Sequence, residues 1–137
     1  MNRTDLQQLA LERAREAETL LREGHWSGAY YLIGYAVECA LKACIAKLTK
    51  EYDFPDKDVA LKCFTHKIDV LVDLADLEDR RKTDGIANPV LRDNWIVVKD
   101  WNEQARYQRW TEAEARKLFV AVMDSTHGVL PWIMVRW

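Results

Sequence analysis

The sequence predicts an all-α protein, an antiparallel helical bundle of about five helices in a single domain that covers residues 1–137. Apolar residues recur every three or four positions through most of the chain, which is the period of one face of a helix. Capping residues, glycines and prolines separate these stretches. A chain of 137 residues buries enough surface to fold without a metal ion or a disulfide.

The first predicted helix spans about residues 4–23. Leucines and alanines occupy one side of it, and arginines and glutamates occupy the other. Thr4 and Gln7 have the spacing of a capping box, and Gly24 is a typical C-terminal stop. The next apolar run begins almost at once, so the sequence predicts that the first two helices form an antiparallel hairpin.

The second predicted helix is the most apolar part of the chain. It begins near Trp26 and runs to about Lys50. Between Trp26 and Leu48 only three residues are charged, and two of them, Glu38 and Lys42, lie one helical turn apart. A helix with so few polar residues must be covered on most of its sides, so this segment is the predicted core.

Three further helices are predicted in the rest of the chain, each after a capping signal. Residues 52–63 lose the helical period around Pro55 and are predicted to form a loop with one helical turn. Residues 83–89 combine Gly85 with Asn88-Pro89, where the fourth helix is predicted to begin. The predicted N-caps are Ser27, Thr65, Asn88 before Pro89, and Thr111 in a capping box with Glu114. The predicted helices span about 66–81, 89–107 and 112–126, and a short helix follows Gly128 and Pro131.

Composition and charge limit the function classes. Twenty basic and 22 acidic side chains give a formal net charge of -2, so any contact with RNA depends on a local patch. Cys39, Cys44 and Cys63 have no paired C-x-x-C spacing and are predicted to be reduced thiols of a cytoplasmic protein. The amino terminus has no signal-type apolar run, and no stretch of about twenty uncharged apolar residues predicts a membrane span.

Glu38 is the strongest functional clue in the apolar helix. Desolvation of an unpaired carboxylate costs several kcal/mol, so Glu38 is expected to have a partner, a function or both. The simplest partner is Lys42, four residues on, in a pair on a solvated strip. The neighbouring Tyr31 and Tyr35 instead favour an interface, as the face of a dimer or of a groove.

The first two helices resemble those of a HEPN domain. The helix order, the Arg106-Tyr107 pair and the closing Gly-Val-Leu-Pro-Trp-Ile are compatible with this resemblance along almost the whole chain. The matching core residues are Gly34, Ala36, Val37, Glu38, Ala40, Leu41 and Lys42. The resemblance implies a helical bundle that forms a homodimer and belongs to a prokaryotic toxin-antitoxin or other defence system, in some members beside a nucleotidyltransferase partner.

The chain departs from the nuclease members of that family. Those members carry an arginine separated by four to six residues from a histidine, and two such motifs meet across the dimer to cleave RNA. No arginine stands at the required position before His25, His66 or His127. The usual metal-independent ribonuclease site is therefore absent from this sequence.

Other residues could still form a polar site beside the second helix. Cleavage of RNA needs an acid or base near neutral pH and a cation for the phosphate charge. Each candidate also has a structural explanation: Arg106 is expected to pair with Glu38, and His66 to donate a hydrogen bond near a helix start. Cys63 and His66 cannot complete a zinc site, so neither a metal nor a cofactor is predicted. The candidates are Glu38, Lys42, His66, Arg106, Tyr107 and Arg109.

Three functions are compatible with these residues. The leading hypothesis is a homodimer without enzymatic activity, in which the candidates shape a groove for a nucleotide, an RNA end or a protein partner. The first alternative is a divergent ribonuclease toxin that uses the same cluster. The second alternative is a purely structural partner of a nucleotidyltransferase. The missing arginine-histidine spacing favours the leading hypothesis.

Overall fold

The computed structural model describes residues 1–49 and 57–137, and all regular secondary structure in these ranges is helical. This confirms the predicted all-α class. The α-helices are α1 (Arg3–Arg22), α2 (Trp26–Leu48), α3 (Lys57–Lys62), α4 (Ile68–Leu74), α5 (Glu78–Ala87), α6 (Pro89–Val98), α7 (Glu112–Met123) and α8 (Val129–Met134), and a 3-10 helix spans Glu103–Tyr107. All five predicted helices are present, two of them divided into shorter pieces.

α1 and α2 form the predicted antiparallel hairpin. A Schellman motif closes their connection, because Gly24 has a φ of +81° and the amide of His25 donates to the carbonyl of Leu20 at 2.8 Å. Gly24 therefore ends α1 as predicted. Its freedom to adopt a positive φ is what allows the chain to reverse within so few residues.

The start of α1 differs slightly from the prediction. The side chain of Asn2 accepts a hydrogen bond from the amide of Asp5 at 2.8 Å, and the Asp5 carboxylate accepts one from the amide of Asn2 at 3.1 Å. Asparagine is at least as good an N-cap as threonine. The capping box therefore forms at Asn2 and Asp5, and the prediction of a box at Thr4 and Gln7 was wrong.

α2 lies at the centre of the protein and packs against α1, α4, α7, α8 and the 3-10 helix. By length and composition alone α2 could cross a membrane, but 67 % of its most apolar stretch is buried inside the protein, which fits a core helix. Its N-cap is His25, and the predicted cap Ser27 instead accepts a hydrogen bond from the amide of Trp110 at 2.9 Å. The predicted end of this helix at Lys50 lies outside the described residues.

The segment before α4 contains one short helix, as predicted. This helix is α3, and residues 52–56 of the predicted loop lie outside the described residues. The N-cap of α4 is Lys67, whose amide donates to the side chain of Thr65 at 3.2 Å. α4 therefore begins two residues later than predicted, and Thr65 supports its start without being the cap.

The predicted third helix is divided into α4 and α5 by a residue in the left-handed region. Asp76 has a φ of +59°, and the amide of Leu77 donates to the carbonyl of Val72 at 3.0 Å, so α4 ends in the same motif as α1. Aspartate adopts this conformation less often than glycine, which is why the sequence did not indicate the break. α5 then continues through residues 83–87, beyond the predicted end of the third helix at about residue 81.

The predicted fourth helix ends early, because Trp101 turns into the core and is only 2 % exposed. Its N-cap is Asn88, as predicted. Beyond Trp101, Asn102 caps a separate 3-10 helix. The predicted capping box of Thr111 and Glu114 is confirmed at the start of α7.

We expect Cys39 and Cys44 to resist alkylation in the folded protein. Burial raises the pKa of each thiol to about 11, so at pH 8 only about one in a thousand is the reactive thiolate. Cys63 is only half-buried and should react first. Mass spectrometry after iodoacetamide treatment should find one label on the native protein and three in urea. Two or three labels on the native protein would contradict the packing of α2.

Candidate functional site

A buried carboxylate on α2 is paired with two nitrogen donors. Glu38 is 2 % exposed, and its Oε1 accepts hydrogen bonds from Nζ of Lys42 and from Nδ1 of His66, both at 2.9 Å. Lys42 belongs to the next turn of α2, whereas His66 belongs to the segment before α4. The simplest prediction, a pair between Glu38 and Lys42, is confirmed, although Glu38 is buried and not on a solvated strip.

The expected pair between Arg106 and Glu38 is not formed. Arg106 is exposed on the 3-10 helix, with its guanidinium carbon 4.9 Å from the ring centroid of Tyr107. A hydrogen bond to Tyr107 raises the pKa of Arg106, and Tyr31 contributes in the same direction. The prediction failed because it assumed one continuous helix up to Arg106, whereas the 3-10 helix is separate from α6.

Two tyrosines extend the polar cluster along α2. Tyr31 stacks with Tyr35 at a centroid distance of 6.1 Å and with Trp101 at 5.8 Å. Burial raises the pKa of Tyr35, so its hydroxyl stays protonated at neutral pH. Both tyrosines are half-buried and show part of their rings to solvent. We use the term α2 face for a set of eight residues, the first four of which lie on α2. They are Tyr31, Tyr35, Glu38, Lys42, His66, Trp101, Arg106 and Tyr107.

Trp110 holds the 3-10 helix against α2. Its ring stacks on Tyr30, with centroids 3.7 Å apart and planes inclined by 9°. Its Nε1 donates to the carbonyl of Ala105 at 3.0 Å, and its amide donates to Oγ of Ser27 at 2.9 Å. These contacts fix the position of the segment that carries Arg106.

Gly34 and Trp101, which are not among the predicted site residues, shape the middle of the α2 face. The indole of Trp101 lies so close to Gly34 that a Cβ there would be 2.2 Å from its Nε1. A glycine inside a helical pattern is the one sequence signal of such a close approach. Nε1 of Trp101 and Oε2 of Glu38 are both buried without a hydrogen-bond partner in the described part of the chain.

The predicted candidates fall into two groups along the α2 face. Tyr31 and Lys42 are separated by about 16 Å along α2, so the face is longer than a single side chain can span. One group is Glu38 with Lys42 and His66, and the other is Arg106 with Tyr107. Arg109 is exposed and makes no described contact with either group.

His66 also presents a second ring nitrogen to a ligand. A carboxylate only accepts hydrogen bonds, so His66 donates from Nδ1 to Glu38, and its Nε2 makes no described hydrogen bond. The His66 side chain is 43 % exposed, which leaves the ring within reach of solvent. Among residues 1–49 and 57–137, no three side chains of His, Cys, Asp or Glu are placed to hold a metal ion. The described side chains of this face supply charge, hydrogen-bonding groups and aromatic rings.

A cavity of about 440 Å³ lies between α5, α6 and α8, away from the α2 face. On its wall, Asp84 accepts hydrogen bonds from Nε1 of Trp132 at 2.9 Å and from Nη2 of Arg136 at 3.0 Å. These contacts connect α5 with α8. Asp84, Trp132 and Arg136 are thus engaged in holding the helices together.

The chain matches the family model described as "HEPN domain" over residues 4–124. This range contains α2, α7 and every residue of the α2 face. Neither a curated protein nor a solved structure matches the chain significantly. The family match confirms the resemblance seen in the first two helices.

We expect Gly34→Ala to destabilise the protein by about 1–3 kcal/mol, because the added methyl group collides with the indole of Trp101. In an open helix the same change would stabilise by about 1 kcal/mol. Gly28→Ala is the matched control, since its methyl group would meet only the flexible end of Leu20 at 3.1 Å. Urea unfolding measures both variants. If Gly34→Ala proved as stable as Gly28→Ala, the close contact would be refuted.

Proposed function

The chain belongs to the HEPN domain family, and on this basis we propose that its α2 face binds a nucleotide or the end of an RNA strand without cleaving it. The protein acts as a homodimeric binding subunit of a prokaryotic toxin-antitoxin or defence system in the cytoplasm. A nucleotidyltransferase is its candidate protein partner. The residues that bind the ligand are those of the α2 face.

The position of Arg106 is the observation that carries this proposal. Its guanidinium is exposed, lies beside two tyrosine rings and has no carboxylate partner among the described residues. A guanidinium fits phosphate oxygens, and aromatic rings stack on bases. Arg106 thus supplies a phosphate-binding cation beside two aromatic rings, the types of group that proteins use to bind single-stranded nucleic acid.

The arrangement of the catalytic candidates favours binding over cleavage. The arginine-histidine motif of the nuclease members is absent. His66 is engaged with Glu38, whereas Arg106 is engaged with Tyr107 and Tyr31. A base and a phosphate-binding cation must act on one phosphate at the same time. Here the two residues have different partners on different elements.

A divergent ribonuclease is the second candidate function, and the contact between Glu38 and His66 favours it. A buried carboxylate that holds an imidazole by Nδ1 and leaves Nε2 free is the arrangement of a general base in many hydrolases. In this function His66 would take the proton of a ribose hydroxyl. The two functions are separated by whether RNA survives incubation with the protein.

We expect the protein to bind a short single-stranded RNA and to leave it intact at sub-stoichiometric protein. Arg106→Gln should weaken binding roughly tenfold and reduce its salt dependence, because one phosphate contact is lost. Arg15→Gln, which removes an exposed arginine from α1, is the matched control and should bind normally. Fluorescence anisotropy measures the affinity, and gel electrophoresis follows the RNA. Cleavage that disappears in His66→Ala would replace binding by the ribonuclease function.

We expect the protein to be a dimer in solution. Dimers are usual among HEPN domains, and this chain belongs to that family. Sedimentation at micromolar concentration should give twice the 16.0 kDa mass of the chain. A species of one chain mass under these conditions would exclude the homodimer and leave the binding of RNA to be judged separately.

A further inference from the structure

We propose that two copies of the chain meet at the groove between α6 and α7, where Asp93 of each copy pairs with Lys117 of the other. This inference rests on the proposed function, because it gives the proposed homodimer an interface. The groove shares no residue with the α2 face, so the two surfaces can be occupied at the same time.

The groove carries opposite charges on its two sides and apolar side chains between them. Its volume is about 440 Å³. Asp93 belongs to α6, whereas Arg116 and Lys117 belong to α7. We use the term α6–α7 groove for six of the residues that line it, which are Asp93, Val97, Arg116, Lys117, Val120 and Ala121.

Exposed apolar side chains adjoin both charges. Residues three or four positions apart lie on the same face of a helix. Val90 and Ile96 have this spacing from Asp93, and they are 47 % and 51 % exposed. Val120 has the same spacing from Lys117 and is 57 % exposed. Apolar residues that adjoin one another at the surface, with polar residues around them, are typical of protein interfaces.

Lys117 is the cation of the groove that a second molecule can use. Nε of Arg116 donates to Oε2 of Glu112 at 2.9 Å, and the Arg116 guanidinium carbon lies 5.2 Å from the ring centroid of Trp26. Arg116 is therefore engaged within its own chain. Lys117 is exposed, and it has no ion-pair partner in the part of the chain that the structure describes.

Asp93 is the matching anion. Its side chain is 69 % exposed, and Oδ1 lies 3.6 Å from Nε of the adjacent Arg92. An exposed ion pair of this kind contributes little to stability. Asp93 can therefore exchange this contact for a lysine of a second copy at small cost.

The two charges make the groove complementary to itself. In an interface with a two-fold axis, a contact between two different residues occurs twice, once in each direction. When α6 of one copy lies on α7 of the other, two equal pairs of Asp93 with Lys117 form around the exposed valines. A partner of a single charge sign would instead attract one side of the groove and repel the other. These charges therefore favour a second copy of the chain as the occupant.

The test is sedimentation of charge-reversal variants of the full chain. Lys117→Glu places two carboxylates opposite each other in both pairs, and Asp93→Lys does the same with two ammonium groups. Each variant should raise the dissociation constant of the dimer about a hundredfold, roughly tenfold for each pair. Both side chains are exposed, so the helical content seen by circular dichroism should not change.

A mixture of the two variants provides the sharper result. In a mixed dimer the introduced glutamate faces the introduced lysine, and the unchanged Asp93 faces the unchanged Lys117. An equimolar mixture should therefore dimerise again. Lys82→Glu is the matched control, because it makes the same charge change at an exposed residue of α5 outside the groove, and it should dimerise like the wild type.

Dimers of unchanged affinity in Lys117→Glu and Asp93→Lys would overturn the inference and leave the interface to another surface, such as the α2 face. A mixture that stays monomeric would also overturn it. The proposed RNA binding is tested separately, because Lys117→Glu should bind single-stranded RNA as tightly as Lys82→Glu, whereas Arg106→Gln should not. Weaker RNA binding by Lys117→Glu than by Lys82→Glu would contradict the separation of the two surfaces.

Discussion

The pairing of Glu38 is the interaction on which the rest of the structure depends. α2 is apolar enough to be the core helix, yet it carries a carboxylate that is 2 % exposed. Such a charge stays buried only when it is paired, and loss of a partner from a buried pair costs about 3–5 kcal/mol. Lys42 comes from the same helix, but His66 comes from another segment. The need to pair one carboxylate therefore also attaches the start of α4 to α2.

A second constraint comes from the absence of a side chain at Gly34. The indole of Trp101 occupies the space that a Cβ would take, which draws the chain after α6 into the core. The 3-10 helix that follows is then held by the stacking of Trp110 on Tyr30. Arg106 is exposed beside Tyr31 as a result. The position of the cation that we assign to phosphate binding thus follows from two packing contacts that do not involve it.

The helices and the local pair were predictable, because their signals lie within a few residues. The Gly24 stop, the Asn88 cap and the box of Thr111 and Glu114 each act on the adjacent backbone. Breaks without such signals were missed. Asp76 takes a conformation that glycine usually takes. The predicted fourth helix ends early because Trp101 turns into the core, and no residue close to Trp101 in the sequence indicates its contact with Gly34.

By itself the sequence determined the helical class and the apolar α2, because periodicity and caps act locally. It also carried the motif of the family and offered Lys42 as one of two expected partners of Glu38. Only the tertiary structure decided that His66 and not Arg106 completes the pairing of Glu38, and that Trp101 covers Gly34. These contacts join residues that are distant along the chain. Their formation depends on where the intervening helices end, and burial in the core sets those ends more strongly than local preference does.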